Sequence, residues 1–240
     1  MLNAFLNYTN NFDLDNNRLL GKVEHTKRVA NNSIRIAKSL GLSEKEISLA
    51  ETVGYLHDIG RFEQLKRYNT FIDKFSIDHA NLGVKILFEE NLIDNFQIAK
   101  ENYKTIEFAI KNHNKLSIEE SIDKEALLQA KIIRDADKID IFKRLVVEDD
   151  LLIEEQGDNL TKEVKEAILN KESVNYKYVT TRTDAIFCYI GFIFDLYFIE
   201  SLKMIEEMHV LEKIRNLLPK NREYIKILDD VNKYLDERMK

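Results

Sequence analysis

Four of the five histidines in the sequence share a pattern that suits metal binding. His25, His57, His79 and His113 each lie on the apolar stripe of a predicted helix, so all four are expected to face a common core. Burying several imidazoles together costs free energy unless each ring finds a partner. Neutral imidazole is a common metal ligand, and a metal ion would be such a partner. The sequence therefore predicts a buried metal site.

Aspartates extend this candidate ligand set. Asp58 directly follows His57, and an acidic run comes after the last of the four histidines: Asp135, Asp137 and Asp140. Spacing alone allows two interpretations of this run: it binds a metal ion, or it lies on a solvated helix face where Asp140 pairs with Arg144. Asp135 and Asp137 lie about 200° apart around a helix, so both cannot face one metal ion.

The elements that must position these residues are predicted to be helices. One proline and seven glycines in 240 residues provide few of the turns that an all-β fold requires. Long stretches rich in Leu, Ile, Glu and Lys favour helices instead. The sequence therefore predicts an all-α fold, arranged as a helical bundle.

Caps and periodicity place the individual helices. Gly41 ends a helix over 23–40, and the pair Ser43 and Glu46 forms a capping box that begins the next helix, which runs to about His57. Residues 61–78 show weak periodicity and are predicted to be a loop containing at most one short helix. Ser117 and Glu120 repeat the capping-box spacing before a helix over 122–143. The other predicted helices span 77–90, 104–113, 160–170, 183–217 and 221–238.

Composition excludes several classes of protein. A net charge of −6 and a pI of about 5.5 argue against binding of a nucleic acid duplex through its phosphates. The single cysteine, Cys188, excludes an internal disulfide and a multi-cysteine zinc site, which favours a reducing compartment. The first basic residue is Arg18, so no signal peptide is expected and the cytoplasm is predicted. The longest apolar run, 185–199, is too short to span a membrane.

The ordered set of histidines and aspartates resembles the HD-domain superfamily of metal-dependent phosphohydrolases. That family has the pattern H…HD…D, in which the last aspartate commonly follows an alanine, and the stretch YLHDIGRF at 55–62 resembles its extended signature. The resemblance implies an all-helical core over 20–145 within a single domain of 1–240, with 146–240 as a helical extension. It also implies that one metal ion is bound by His25, His57, Asp58 and Asp137.

Members of this family that hold two metal ions have two further histidines, and His79 and His113 occupy the corresponding positions. In the HD-GYP branch, which cleaves cyclic dinucleotides, a second histidine usually follows the position of His113, and lysine usually follows HDIG. Here Asn114 and Arg61 stand at those positions, and the GYP signature is absent. These departures weaken the expectation of a cyclic dinucleotide substrate and leave the expected metal site unchanged.

The implied activity is hydrolysis of a phosphate ester, in a nucleotide or a related small phosphorylated metabolite, by a metal-activated water. Imidazole and carboxylate ligands without thiolate favour Mn, Fe, Co, Ni or Mg, as one or two ions. Asp58 would bridge two ions and is the predicted catalytic residue. Arg61 and Arg67 are candidates to bind a substrate phosphate because a guanidinium can contact phosphate through two hydrogen bonds, and Lys138 is a weaker candidate. An alternative for both arginines is that they are surface residues.

Two other functions remain open from the sequence. Some HD-like helical proteins use a similar ligand set to hold two iron ions for oxygen chemistry. Others are ligand-binding modules without catalysis, although such proteins commonly lack some of the ligands. The expected partner is a small phosphorylated substrate, and the sequence leaves both its identity and assembly into a homo-oligomer open.

Overall fold

Helices make up the regular secondary structure of residues 1–147 and 157–240, which are the residues that the computed structural model describes. These two ranges contain no strand, so the predicted all-α fold is confirmed. The chain divides into two compact units, Met1–Asp137 and Lys138–Lys240. The organisation as one domain with a helical extension stays a prediction.

The first unit contains six helices and the beginning of a seventh. These are α1 (Leu2–Thr9), α2 (Asn17–Ser39), α3 (Glu44–Leu56), α4 (Ile59–Tyr68), α5 (His79–Val84), α6 (Tyr103–Asn112) and α7 (Lys124–Val147). A π-helical turn, Lys85–Glu89, continues α5, and short 3₁₀ turns lie at Asp73–Phe75, Leu92–Phe96 and Lys100–Asn102. The core of this unit is built from large apolar side chains that include Phe5, Ile36, Leu56, Phe62, Leu87 and Ile110.

The turn between α2 and α3 forms as the sequence predicts. Gly41 has a φ of 67°, and Ser43 and Glu46 form the predicted capping box at the start of α3. The two helices then approach each other closely, because a Cβ on Gly54 would lie 2.6 Å from the Cα of Ala30. A residue with a side chain would force the helices apart. This close contact sets the distance between the helices that carry His25 and His57.

The stretch after Gly60, predicted to be a loop with at most one short helix, begins with a helix. This helix is α4, whose buried face includes Phe62 and Leu65 and which ends at Asn69 in the left-handed conformation. Phe62 packs against Phe5 of α1 at a ring distance of 6.0 Å. Tertiary contact with α1, a helix absent from the sequence prediction, therefore supports α4 where the local periodicity is weak.

The predicted start of α7 is wrong. The helix begins at Lys124, and Asp123 Oδ1 accepts hydrogen bonds from the backbone N–H groups of Glu125 and Ala126 at 3.0 and 3.1 Å. Asp123 thus caps the helix and satisfies N–H groups that have no partner within it. The spacing of Ser117 and Glu120 matches a capping box, but these residues precede the helix.

The second unit has its own apolar core, formed by side chains that include Phe142, Phe187, Ile190, Ile205, Ile214 and Leu228. The predicted helix over 183–217 is three helices, α9 (Arg182–Phe194), α10 (Ile199–Glu207) and α11 (Val210–Leu217). Residues 195–198 separate the first two, and His209, with a φ of 53°, separates the last two. The remaining helices are α8 (Lys162–Leu169) and α12 (Arg222–Arg238). Across the described ranges, none of the helices combines the length and apolar character that crossing a membrane requires.

The contact between α4 and α5 yields a prediction about folding. A Cβ on Gly60 would overlap the carbonyl oxygen of His79 and lie 2.7 Å from the amide nitrogen of Gly83. Overpacking of a core typically costs about 1–3 kcal/mol, and Gly60→Ala should lower the free energy of unfolding by at least that amount. Gly21→Ala is the control, because a Cβ added to that helical glycine would meet no atom within 4 Å, and it should raise stability by about 0.5–1 kcal/mol. Denaturant unfolding measures both, and a Gly60→Ala protein as stable as wild type would contradict this packing.

Candidate metal centre

The structure brings all six predicted metal ligands into one cluster in the first unit. Their positions are His25 on α2, His57 and Asp58 between α3 and α4, His79 at the start of α5, His113 directly after α6, and Asp137 on α7. Five of the six are buried, and the side chain of Asp137 is 21% exposed. The cluster is therefore shielded from bulk solvent and reachable near Asp137.

The two carboxylate oxygens of Asp58 face different histidines. Oδ2 lies 3.5 Å from Nε2 of His25 and 3.7 Å from Nε2 of His57. Oδ1 lies 3.4 Å from Nε2 of His79 and 3.6 Å from Nε2 of His113. Asp137 joins the first group, because its Oδ1 lies 3.2 Å from Nε2 of His25. The ligand atoms thus form two adjacent groups that share Asp58.

Hydrogen bonds at Nδ1 set the tautomers of three imidazole rings. Nδ1 lies 2.8 Å from the carbonyl oxygen of Gly54 in His57, and 2.7 Å from the carbonyl oxygen of Ile110 in His113. In His79, Nδ1 lies 2.7 Å from Oδ2 of Asp73. Carbonyl and ionised carboxylate oxygens only accept, so each Nδ1 carries the hydrogen. In the neutral rings, each Nε2 then presents its lone pair to the cluster.

This arrangement leaves lone pairs facing each other. Nε2 of His79 and Nε2 of His113 are 3.0 Å apart, and Nε2 of His57 is buried without a hydrogen bond. Burial lowers the pKa of His57 to about 4 and also lowers the pKa of His79, so both rings are neutral at pH 7. A cation bound between Nε2 of His79 and Nε2 of His113 would remove the repulsion between lone pairs at these two atoms.

The spacing of the ligand atoms fits divalent metal ions. Metal–ligand bonds of about 2.1 Å place neighbouring ligands roughly 3.0–3.4 Å apart. Seven pairs of ligand atoms here are 3.0–3.9 Å apart. Three combinations of three residues, each with its ligand atoms within 4.8 Å of one another, could hold an ion: His25, His57 and Asp58; His57, His113 and Asp137; and Asp58, His79 and His113. The residues present therefore suit one or two ions.

Both cluster carboxylates are ionised. Burial raises the pKa of Asp58, but the ammonium of Lys22 and the neighbouring imidazoles outweigh burial and hold that pKa well below its usual range. Burial also raises the pKa of Asp137, but the hydrogen bond with His25 outweighs burial and the pKa is lowered. Asp135 is fully buried and belongs to none of the described groups that could hold an ion. The choice of Asp137 as the ligand stays a prediction.

Sequence reasoning missed two residues that contact the ligands. Lys22 Nζ lies 2.7 Å from Oδ2 of Asp58, and its position three residues before His25 on one helix was a usable signal. Asp73 accepts the Nδ1–H of His79, and bonds from His79, Arg61 and Gln64 outweigh its burial and lower its pKa to about 2. Asp73 lies in the segment predicted to be a loop, where the spacing gave no signal.

The three predicted phosphate-binding residues occupy different environments. Arg61 lies beside the cluster, with Nε 3.6 Å from Oδ1 of Asp58, and its Nη1 donates to Gln64, to Asp73 and to the carbonyl of Phe71. Arg67 pairs with Glu63 at 2.8 Å and is partly exposed. Lys138 belongs to the second unit, where its ammonium lies 2.7 Å from Asp195. Their roles in substrate binding stay predictions.

The lowered pKa of His57 predicts a pH dependence of stability in the metal-free protein. Between pH 6.5 and about 4 the unfolded chain binds a proton at His57 that the folded chain does not bind. The free energy of unfolding should therefore decrease as the pH is lowered from 6.5 to about 4, by up to about 3 kcal/mol. Denaturation in the presence of a chelator measures the slope, which His57→Gln should reduce. His209→Gln is the control because His209 is exposed. An unchanged slope in His57→Gln would contradict the prediction.

Comparison with known proteins identifies a family domain within the chain. The HD domain model matches residues 23–141, a range that includes all six clustered ligands, from His25 to Asp137. No curated protein and no solved structure matched the chain. The chain therefore contains an HD domain over residues 23–141, and the predicted resemblance to the HD-domain superfamily is confirmed.

Proposed function

We propose that this protein is a hydrolase that cleaves a phosphate ester of a small phosphorylated compound, such as a nucleotide, with bound divalent metal ions. The observation that carries the proposal is the pair of Nε2 atoms of His79 and His113, 3.0 Å apart with their Nδ1 hydrogens donated elsewhere. Two lone pairs that face each other in a buried site repel, and a cation bound by both would stabilise them. The HD domain over 23–141 supports the same chemistry.

Asp58 would be a shared ligand of two ions, because its carboxylate lies between the pair His25 and His57 and the pair His79 and His113. When bound, divalent ions at a two-metal centre supply Lewis acidity toward phosphate and a nucleophile at neutral pH. The chain's own contribution is to hold the ligand atoms in place: backbone carbonyls orient His57 and His113, and Asp73 orients His79. Nitrogen and oxygen ligands without thiolate support Mn, Fe, Co, Ni or Mg as the ion.

Lys22 would help to keep Asp58 in a fixed position. Its ammonium donates to Oδ2, the oxygen that faces His25 and His57, so this carboxylate remains ionised and oriented. A carboxylate oxygen has more than one lone pair and can accept this bond and bind an ion together. The cysteine Cys188 is buried and free, which supports action in a reducing compartment such as the cytoplasm.

The reaction class can be tested with the purified chain. We expect hydrolysis of at least one member of a panel of nucleotides and other phosphate esters, with Mn²⁺, Co²⁺, Ni²⁺ or Mg²⁺ added and none with a chelator. Released phosphate is the measurement. Tightly bound iron together with an oxygen-dependent activity, and no phosphate release from any ester, would contradict the proposal and favour a di-iron oxygenase.

Substitution of the aspartates separates ligands from neighbours. Asp58→Asn and Asp137→Asn should each lower hydrolysis by roughly 10–100-fold or more, because each removes a charged ligand. Asp135→Asn, on the same helix as Asp137, is the matched control and should retain metal content and activity. Metal content and phosphate release are measured on protein shown to be folded by circular dichroism. An inactive Asp135→Asn beside an active Asp137→Asn would reverse the assignment of these two residues.

The histidines of the second group test the number of ions. His79→Ala and His113→Ala each remove a ligand that faces Oδ1 of Asp58, so each should lower the metal content by about one equivalent and leave the first group occupied. Elemental analysis of dialysed protein gives the stoichiometry. Full metal content and full activity in both variants would show a single-ion site in which these histidines only pack.

A further inference from the structure

Three basic side chains surround one aromatic ring next to the metal cluster. Arg18 and Lys22 of α2 and Arg61 of α4 lie 5.0, 5.8 and 5.9 Å from the centre of the Phe71 ring, measured from Cζ of each arginine and Nζ of the lysine. Phe71 itself is partly buried. Each cation is attracted to the ring face, and the ring thereby holds three like charges close together. We name this set the basic cluster.

The basic cluster borders the ligands of the metal centre. Lys22 Nζ contacts Oδ2 of Asp58, and Arg61 Nε lies 3.6 Å from its Oδ1. Arg18 precedes Lys22 by one helical turn, which is roughly 6 Å along the axis of α2. The cluster therefore extends from the shared carboxylate of the metal centre outward to an exposed guanidinium.

Charge is compensated in two of the three members. Lys22 pairs with Asp58, and Arg61 pairs with Asp73 at 2.9 Å. Arg18 donates to the carbonyl oxygen of Asn69 at 3.3 Å, and no acidic side chain in the described residues pairs with it. A guanidinium has five N–H donors, so Arg18 retains donors for a ligand. Metal ions bound to Asp58 would neutralise part of the negative charge of this carboxylate. Less of that charge would then compensate Lys22, and the basic cluster would become more positive.

Arg61 serves a structural role within the cluster. Its Nη1 donates to Gln64, to Asp73 and to the carbonyl oxygen of Phe71, so it ties the segment after α4 back onto that helix. An anion that approaches the exposed end of the cluster would meet Arg18, with Lys22 one helical turn away. Guanidinium binds phosphate oxygens through paired hydrogen bonds, and an ammonium adds a compact charge.

We propose that Arg18 and Lys22, held in place by Phe71, bind a second phosphate group of the substrate, adjacent to the phosphate at the metal ions. The substrate class is then a compound with two neighbouring phosphate groups, such as a nucleoside diphosphate or another diphosphate ester, and a simple monophosphate is a poorer fit. This inference rests on the proposed phosphohydrolase function, since it requires a first phosphate at the metal centre. It adds a specificity-determining site that the metal ligands do not provide.

Binding of inorganic anions to the full chain tests this site without requiring turnover. Calorimetric titration of the Mn²⁺-loaded protein with phosphate and with diphosphate, at a buffered free Mn²⁺ concentration, should show tighter binding of diphosphate. Arg18→Gln should weaken diphosphate binding about tenfold, the loss typical for a charged hydrogen bond, and should change phosphate binding less than about twofold. Phe71→Leu should also weaken diphosphate binding, because the ring no longer holds Arg18.

The control is Lys27→Gln, which makes the same change of charge on α2 at a residue that pairs with Glu24 and is not among the cations around Phe71. It should leave both affinities at the wild-type level. Circular dichroism verifies that each variant is folded, which is expected for Arg18→Gln because Arg18 is exposed.

Two results would overturn the inference, and they differ in what they say of the proposed function. If phosphate and diphosphate bind equally well, or Arg18→Gln affects both or neither, the second phosphate site is wrong and the phosphohydrolase proposal stands. If the metal-loaded wild-type protein binds neither anion and hydrolyses no phosphate ester, both proposals fail.

Discussion

The direction of the ring hydrogens on three histidines is the constraint on which the site depends. His57 and His113 each follow the last residue of a helix, and each donates its Nδ1 hydrogen to the carbonyl three residues before it, in Gly54 and Ile110. Carbonyls at helix ends lack partners within the helix, so they are available as acceptors. This hydrogen bond occurs in both His57 and His113, and in each ring it turns the Nε2 lone pair toward Asp58.

Close packing of the backbone brings these helix ends together. Gly54 allows α3 to approach Ala30 of α2, and Gly60 allows the start of α4 to lie against His79 and Gly83. Because a Cβ at either glycine would overlap neighbouring backbone, the distances between the ligand-bearing helices depend on the absence of two side chains. Burial of the rings has an electrostatic consequence as well, since it keeps His57 and His79 neutral and able to bind a cation.

The segment between α4 and α5 links the metal centre to the basic cluster. Asp73 orients His79, whereas Phe71, two residues earlier, lies against Arg18, Lys22 and Arg61. Arg61 donates to both ends of this short stretch. The hydrogen bonds from Arg61 to this segment therefore help to orient His79 and to place the cations around Phe71. Both sites require the same conformation of the segment.

Local signals in the sequence were sufficient for much of the fold and for the candidate ligands. The scarcity of glycine and proline, the Ser43 capping box and the apolar stripes act over a few residues, so the helical class and the α2–α3 turn could be predicted. Four histidines on apolar stripes, together with the His57–Asp58 pair, indicated a buried metal site. The same local reasoning left the position of α4 open, and it failed for the breaks after Phe194 and at His209, where contacts between distant parts of the chain compete with periodicity.

Only the tertiary structure decided how the ligands divide between the two oxygens of Asp58 and which charged groups join them. Lys22 and Asp58 are 36 residues apart, and Phe71 is more than 50 residues from Arg18, so no spacing rule relates them. The sequence by itself determined which residue types were available and which helix faces carried them, because helix formation and burial follow from short-range pattern. Distances of 3–6 Å between atoms on different helices follow from packing of the whole unit, and those distances place two lone pairs together and three cations around one ring.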